Sequence, residues 1–502
     1  ALLFSACVAG SWAQQGSEPI DLKEITSGKF RQITNVGEMR SLPDGEHYTA
    51  MNPKRTMIVK YSYRTGNPVD TLFNVATARE CTIDKFDNYE ISSTGHRILI
   101  LCDVEPIYRR STQATVYDYD VRRNYLKPLS DAPGKQMIPT FSPDGRMCAY
   151  VKDNNIWIRK FDYDTEIQIT KDGKQNAILN GITDWVYEEE FSVTNLMAWS
   201  PDSKVLAFVR SDESEVPEYS MQVYGDGLYP GYYNFKYPKA GEKNSTVSVM
   251  AYNIESKDTK KLDIPMDADG YIPRITFTTK PEQLAVMTLN RQQNRFNMFY
   301  TNPKSGVSKL ILKEENKCYV DSEWLTSIHF MESGFTYVSE QDGYSHIYLY
   351  SPTGVMQRQI TKGNWDVTAL LGYDELTKTT YYESAEDSPM RRAVYKIDAK
   401  GVKTKLSTKE GTNHADFSAN FAYYVNRFSN VNTPMQITVN ETKKNRVLRV
   451  LQDNTALTKK LAAKSYSPKE FMTVTTKSGY ELNAWMVKPV NFDKNKKYPV
   501  LM

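Results

Sequence analysis

Two stretches decide the fold: Phe141-Ser-Pro-Asp-Gly-Arg-Met-Cys-Ala149 and Trp199-Ser-Pro-Asp-Ser-Lys-Val-Leu-Ala207. Each sets an aromatic residue, then a turn, then an apolar run with Ala eight residues after the aromatic. Pro presets φ and Gly tolerates positive φ, so Pro-Asp-Gly reads as a turn between strands. Ile91-Ser-Ser-Thr-Gly-His-Arg-Ile-Leu99 and residues 277–285 repeat the frame. Internal self-similarity of this kind is the signature of a repeat architecture.

A second signature follows each frame: an alternating strand, an Asp or Asn turn, and a short strand ending on an aliphatic residue. Val116-Tyr-Asp-Tyr-Asp runs on to Leu129, Ile156-Trp-Ile to Ile169, Ile347-Tyr-Leu-Tyr to Ile360 and Val394-Tyr-Lys-Ile-Asp to Leu406. The aliphatic ends are Leu72, Leu129, Ile169, Leu262, Leu310, Ile360, Leu406 and Leu448. They recur about every 54 residues, longer than the fixed repeats of solenoids. Period-two alternation with a turn every ten or so residues means antiparallel strands. Several strands per unit, in eight units, predicts an all-β fold, an eight-bladed β-propeller, over residues 21–455.

One interval is too long, from Ile169 to Leu262. It contains Asp184-Trp-Val-Tyr-Glu-Glu-Glu-Phe191 and a Tyr- and Pro-rich stretch at residues 228–237. Insertions into a regular scaffold are where function tends to sit. After Leu448 the pattern changes. Residues 454–464 read as a short helix with Asn454 as N-cap. Phe471-Met-Thr-Val-Thr-Thr and Leu482-Asn-Ala-Trp-Met-Val flank Lys477-Ser-Gly479 as a hairpin, and Tyr498-Pro-Val-Leu-Met502 reads as a further strand. Residues 456–502 are thus expected to begin a second domain.

Composition supports a globular β-rich chain. Of 502 residues, 34 are Tyr, a strand-favouring residue that packs a ring and keeps a polar tip wet. Length alone suggests about three domains. The net charge of +3 argues against a nucleic-acid partner held by phosphate neutralisation. Residues 1–13, ALLFSACVAGSWA, read as the remnant of a signal peptide, with Ser11 and Ala13 as the small residues before a cleavage at Gln14. This predicts an exported protein, periplasmic, cell-surface or secreted. Ser5-Ala6-Cys7 fits a lipidation site less well because of Phe4. No apolar run is long enough to span a membrane. Cys81, Cys102, Cys148 and Cys318 match no metal site and read as buried free thiols.

No nucleophile elbow of the Gly-x-Ser-x-Gly type occurs; Gly343-Tyr-Ser-His lacks the closing Gly. The five histidines (47, 96, 329, 346, 414) are scattered and read as satisfied structural residues. No metal site, cofactor fingerprint or P-loop is present in the sequence, so no cofactor is expected. The polar constellation that stands out is Glu188-Glu189-Glu190. Adjacent carboxylates usually form a solvated face. Here they sit between Trp185-Val-Tyr187 and Phe191, inside the long interval. Carboxylates in a partly dry cavity need a cation, and a primary ammonium with three donors can bridge two of them. Arg109-Arg110 is the basic pair that could compete for that place, or a solvated turn.

At these residues the chain resembles the dipeptidyl peptidase IV family of prolyl-oligopeptidase-type serine exopeptidases, and most resembles its bacterial members. The double-Glu motif carries the resemblance. Ile107-Tyr-Arg-Arg-Ser-Thr, Tyr237-Pro-Lys-Ala-Gly241, Asp342-Gly-Tyr-Ser-His-Ile-Tyr348, Ile360-Thr-Lys-Gly-Asn-Trp-Asp366 and Leu451-Gln-Asp-Asn454 fall in the family's order, from about residue 21 to 502. The resemblance implies an eight-bladed propeller followed by an α/β-hydrolase domain, of which residues 456–502 would be the truncated start. It implies release of X-Pro or X-Ala dipeptides from peptides with a free N-terminus. It gives Glu189 and Glu190 the substrate's α-ammonium, and Arg109, rather than Arg110, the first carbonyl. It makes the stretch at 237–241 part of a homodimer arm in the full-length form. The family's Ser/Asp/His triad would lie beyond Met502, so no catalytic residue is assigned and the chain alone is expected to be inactive. The alternatives are a stand-alone propeller that binds peptides or proteins without catalysis, and a sister enzyme that releases tripeptides or acylated residues.

Overall fold

The structure, a computed structural model, describes residues 16–502. The expected signal remnant at residues 1–13 lies outside the described residues. Eight antiparallel sheets follow one another along the chain, at residues 40–74, 88–128, 137–168, 178–262, 271–315, 329–359, 367–405 and 412–452. They are numbered blades 1–8 below. Seven are four-stranded meanders in which each strand pairs with the next; blade 4 has five strands. The fold is an eight-bladed β-propeller. The chain divides into two compact units, one of residues 49–61 and 68–378, the other of the remaining described residues.

The repeat frame explains itself in the turns. Ser142 Oγ accepts from Met147 N (2.9 Å) and donates to Asp144 Oδ1 (2.6 Å), while Gly145 takes a φ of 69°. Ser200 Oγ does the same with Val205 N (2.9 Å) and Asp202 Oδ1 (2.6 Å). Ser203, at the Gly position, is held at a φ of 61°. These turns launch the second strand of each blade, Met147–Lys152 and Val205–Asp212. The aliphatic ends fall on or one residue past the fourth strand: Leu72 in Pro68–Asn74, Leu129 after Tyr125–Pro128, Leu448 in Arg446–Gln452.

Second strands carry the core. Every residue of Met147–Lys152, Leu284–Leu289 and Gly334–Ser339 is buried. The Tyr excess is used differently from the sequence expectation. Tyr150, Tyr337, Tyr382 and Tyr423 are among the largest fully buried side chains, so their hydroxyls do not reach solvent.

Three further expectations need correction. The helix at Thr455–Ala462 begins after Asn454, but Asn454 has a φ of 53° and makes no side-chain cap. Its side chain instead accepts from Ile33 N and donates to the carbonyls of Ile33 and Met435, and Asp453 accepts from Thr455 N. The hairpin forms from Glu470–Thr475 and Glu481–Met486. Residues 498–502 form no strand, because no described strand offers them a ladder. All four cysteines are free, but only Cys102 and Cys148 are buried; Cys318 is exposed, on the segment after Ser308–Glu315.

Candidate functional site

The extra length of blade 4 consists of two insertions. The first divides the innermost strand. Ile178–Asn180 and Met197–Trp199 both pair with Val205–Asp212, and the residues between them carry the helix Trp185–Phe191. The second lies between Val205–Asp212 and Thr246–Asn253 and forms a hairpin of Glu218–Val223 with Gly231–Lys236.

Local chemistry dictates the short helix. Asp184 caps it by accepting from Tyr187 N (3.0 Å), and Ser245 Oγ holds the other Asp184 oxygen at 2.5 Å. Ser192 ends it with a φ of 54°. Burial pushes the Asp184 carboxyl above its usual range, against the pull of the Ser245 and Tyr187 hydrogen bonds. Tyr187 and Phe191 pack edge-on (5.3 Å between ring centres), and Tyr271 meets both. Tyr187 Oη accepts from Ile272 N (2.9 Å), and Arg274 donates to the Phe191 carbonyl (2.8 Å). Trp185 packs on Tyr237 (4.4 Å), next to the inserted hairpin.

Successive helical residues point about 100° apart, so the three carboxylates cannot share an environment. Glu188 is fully buried. Its Oε1 accepts from the backbone N–H groups of Arg110 and Ser111 (2.8 Å for the latter), and Arg110 Nη1 returns a bond to the Glu188 carbonyl (3.1 Å). This carboxylate is a peg that joins the helix to the hairpin loop between Arg97–Pro106 and Thr112–Asp120. Glu189 is half-buried, and its Oε2 lies 2.9 Å from Arg109 Nε. Arg110 is farther from Glu189, at 3.9 Å. Glu190 is exposed and makes no hydrogen bond or ion pair among the described residues.

The structure therefore brings Arg109 and Glu189 together across 80 positions of sequence, with Glu190 beside them on the same helix and open to solvent. The two arginines separate: Arg109 faces Glu189, and Arg110 serves the Glu188 backbone. Glu188 is the residue that sequence reasoning missed. The signal was present, since Asp184, Tyr187, Glu188 and Phe191 are buried at i, i+3, i+4 and i+7, the spacing of a helix's inner face. The Arg109–Glu189 pair is exposed on the Arg side, so it contributes only about 0.2–1 kcal/mol and can open for a ligand. Chemically, the site presents one carboxylate held by a guanidinium and one without a partner. That pairing suits a ligand with an ammonium and a neighbouring acceptor oxygen. Among the described residues, no helix is long and apolar enough to cross a membrane.

Comparison with known proteins gives the family. Residues 92–435 match the family model described as the dipeptidyl peptidase IV (DPP IV) N-terminal region. The chain is 30% identical over 442 residues to a dipeptidyl-aminopeptidase B of Aspergillus niger, covering 81% of this chain and 48% of the relative. It is 30% identical over 417 residues to a dipeptidyl peptidase 4 of Trichophyton rubrum, covering 78% and 53%. The chain thus spans about half the length of these curated relatives. The crystal structure of Porphyromonas gingivalis dipeptidyl peptidase 4 superposes with a TM-score of 0.94 at 60% identity, over 96% of this chain and 69% of that one. On the strength of the family match over most of the propeller, the chain belongs to the dipeptidyl peptidase IV family, as its N-terminal region.

Proposed function

We propose that the chain is the substrate-selecting part of an exported serine exopeptidase that releases X-Pro or X-Ala dipeptides from peptide N-termini. Glu189 and Glu190 hold the substrate's α-ammonium, and Arg109 turns from Glu189 to the carbonyl of the first residue. The observation that supports this is the Glu188 peg. It fixes helix to loop, so that Arg109 and Glu189 meet at 2.9 Å while Glu190 is left open. An α-amino group with a pKa of about 7.7–8.0 is mostly charged at neutral pH. Clamping it sets the distance from the N-terminus to the scissile bond, so binding energy far from the reaction is used for positioning. Residues 456–502 are the start of the α/β-hydrolase domain that completes the enzyme. The inserted hairpin exposes Tyr219, Met221, Val223 and Tyr233 on one side of its ladder, an apolar face that suits a homodimer contact in the full-length form.

The test is kinetic. In the full-length enzyme, Glu189→Ala should lower kcat/KM on a Gly-Pro arylamide by at least about 100-fold, or 2.7 kcal/mol. Near-normal kinetics would return Glu189 and Glu190 to a solvated face. Products from a peptide with Pro second should be dipeptides; tripeptides would favour the sister enzyme. The 502-residue chain, whose sequence contains no Gly-x-Ser-x-Gly elbow, should release no chromophore by itself.

A further inference from the structure

Against the same hairpin loop, but lined by neither Glu189 nor Glu190, lies a cavity of about 500 Å³. Its walls come from blades 2, 3 and 4, and its volume is that of an ordinary small-molecule site. Two buried ionisable side chains in its lining make no side-chain hydrogen bond or ion pair among the described residues. Lys152 is 8% exposed, and its Nζ makes no hydrogen bond or ion pair among the described residues; the ring of Trp157 lies 5.9 Å away. Glu213 is 5% exposed, and its carboxylate accepts no hydrogen bond among the described residues. The neighbouring Asp184 cannot help, because it is itself a carboxylate and both its oxygens are taken by Tyr187 N and Ser245 Oγ. Burial, with the Asp184 charge adding to it and the Lys236 charge pulling the other way, pushes the Glu213 carboxyl up to about 7. The other cations in the lining are accounted for: Lys135 pairs with Glu105 at 2.8 Å, and Lys174 is exposed.

Buried charges are stable only when paired, and Lys152 and Glu213 do not pair with each other. The wall that carries Lys152 is rigid. Gly173 N donates to Asn155 Oδ1 (2.9 Å), and a Cβ at Gly173 would lie 2.3 Å from the Asn154 carbonyl oxygen. Asn180 Nδ2 and Arg210 Nε tie Asp172, the residue before Gly173, at 3.0 and 2.7 Å. The cavity is therefore preformed, with an unpaired cation and an unpaired carboxyl in one lining.

We propose that this cavity binds a small zwitterion bearing a primary ammonium and a carboxylate, a free amino acid or a short peptide, with Glu213 taking the ammonium and Lys152 the carboxylate. The assignment is separate from the clamp proposed on Glu189 and Glu190, whose cation, Arg109, is given to the first carbonyl of the substrate.

Titration calorimetry on the 502-residue chain tests it, with glycine, Ala-Ala and Ala-Ala-Ala as probes. At least one should bind saturably, and the tightest identifies the source as amino acid or peptide. Its C-terminal amide and its N-acetyl form should each bind at least tenfold more weakly. Binding should persist in the Glu189→Gln/Glu190→Gln variant and fall at least tenfold in Lys152→Met and in Glu213→Gln. Lack of saturable binding by all three probes would overturn the proposal. So would equal binding of the amide, which needs no variant to measure. Loss of binding in the Glu189/Glu190 variant, with Lys152→Met and Glu213→Gln unchanged, would place the ligand on the clamp and also overturn it. Thermal melts of each variant check that the fold is kept.

Discussion

Blades 3 and 4 are built on the same frame, and only one of them carries the candidate site. In blade 3, Met147–Lys152 turns directly into Asn155–Lys160 through Asp153 and Asn154, both with positive φ (51° and 59°), and the register is unbroken. In blade 4, Val205–Asp212 pairs with Thr246–Asn253 through eight consecutive partners, although a whole hairpin intervenes. Its innermost strand is cut by a helix, yet both halves stay on the same neighbour. The ladder is thus indifferent to what connects its strands. Loop-closure entropy grows only slowly with length, so a second strand with a complete partner can carry long insertions. What blade 4 gains is a helix whose inner face is anchored and whose Glu190 is open to solvent.

If the helix is part of the blade 4 core, Phe191→Ala should be the most damaging change in this region, destabilising by about 3–5 kcal/mol. Phe191 packs against Tyr187 and Tyr271, and its carbonyl is held by Arg274. Urea unfolding of the 502-residue chain measures it. A loss below about 1 kcal/mol would make the helix an ornament on a blade that is otherwise like blade 3.

The next prediction sharpens the contrast within the helix itself. Glu188→Ala leaves the part-buried N–H of Arg110 and the buried N–H of Ser111 without their acceptor, so it should cost about 2–4 kcal/mol. Glu189→Ala loses an exposed pair and should cost less than about 1 kcal/mol. Hydrogen exchange at Ser111 should accelerate only in the first. Equal costs for the two variants would mean that the carboxylates share one solvated face.

The repeat was legible in the sequence because turn chemistry is local. Ser-Pro-Asp-Gly contains its own hydrogen-bond partners, and the aliphatic ends mark the outer strand of every blade. The long interval also marked the two insertions of blade 4. Three things were not legible, and each depends on tertiary partners. The partition of Glu188 from Glu189 rests on where the loop at 107–111 lands. Asn454 gives up capping because Ile33 and Met435 are within reach of its side chain. Lys152 and Glu213 are unremarkable in sequence, since each belongs to a different blade and only packing brings them to one cavity.

The last prediction concerns Glu213, just past the uninterrupted second strand of blade 4. Its carboxyl holds a proton up to about pH 7 when folded, against an ordinary value of 4.5. Between those values the folded chain binds more protons than the unfolded one. The contribution is therefore fully present below pH 4.5, declines as the pH rises toward 7, and is absent above. It amounts to about 1–3 kcal/mol, because burial beside Asp184 outweighs the pull of Lys236. Asp118 in blade 2, raised to about 6 by burial against the opposing pull of Arg97, falls off in an overlapping window, so wild-type melting alone would not separate the two. Glu213→Gln does. Its melting temperature should change less between pH 5 and 7.5 than that of the wild type, and the two curves should differ in slope only within that window. Parallel curves would show that the Glu213 carboxyl is ionised in the folded blade. Blade 4 would then be as indifferent to pH at this position as it is to the length of its connections.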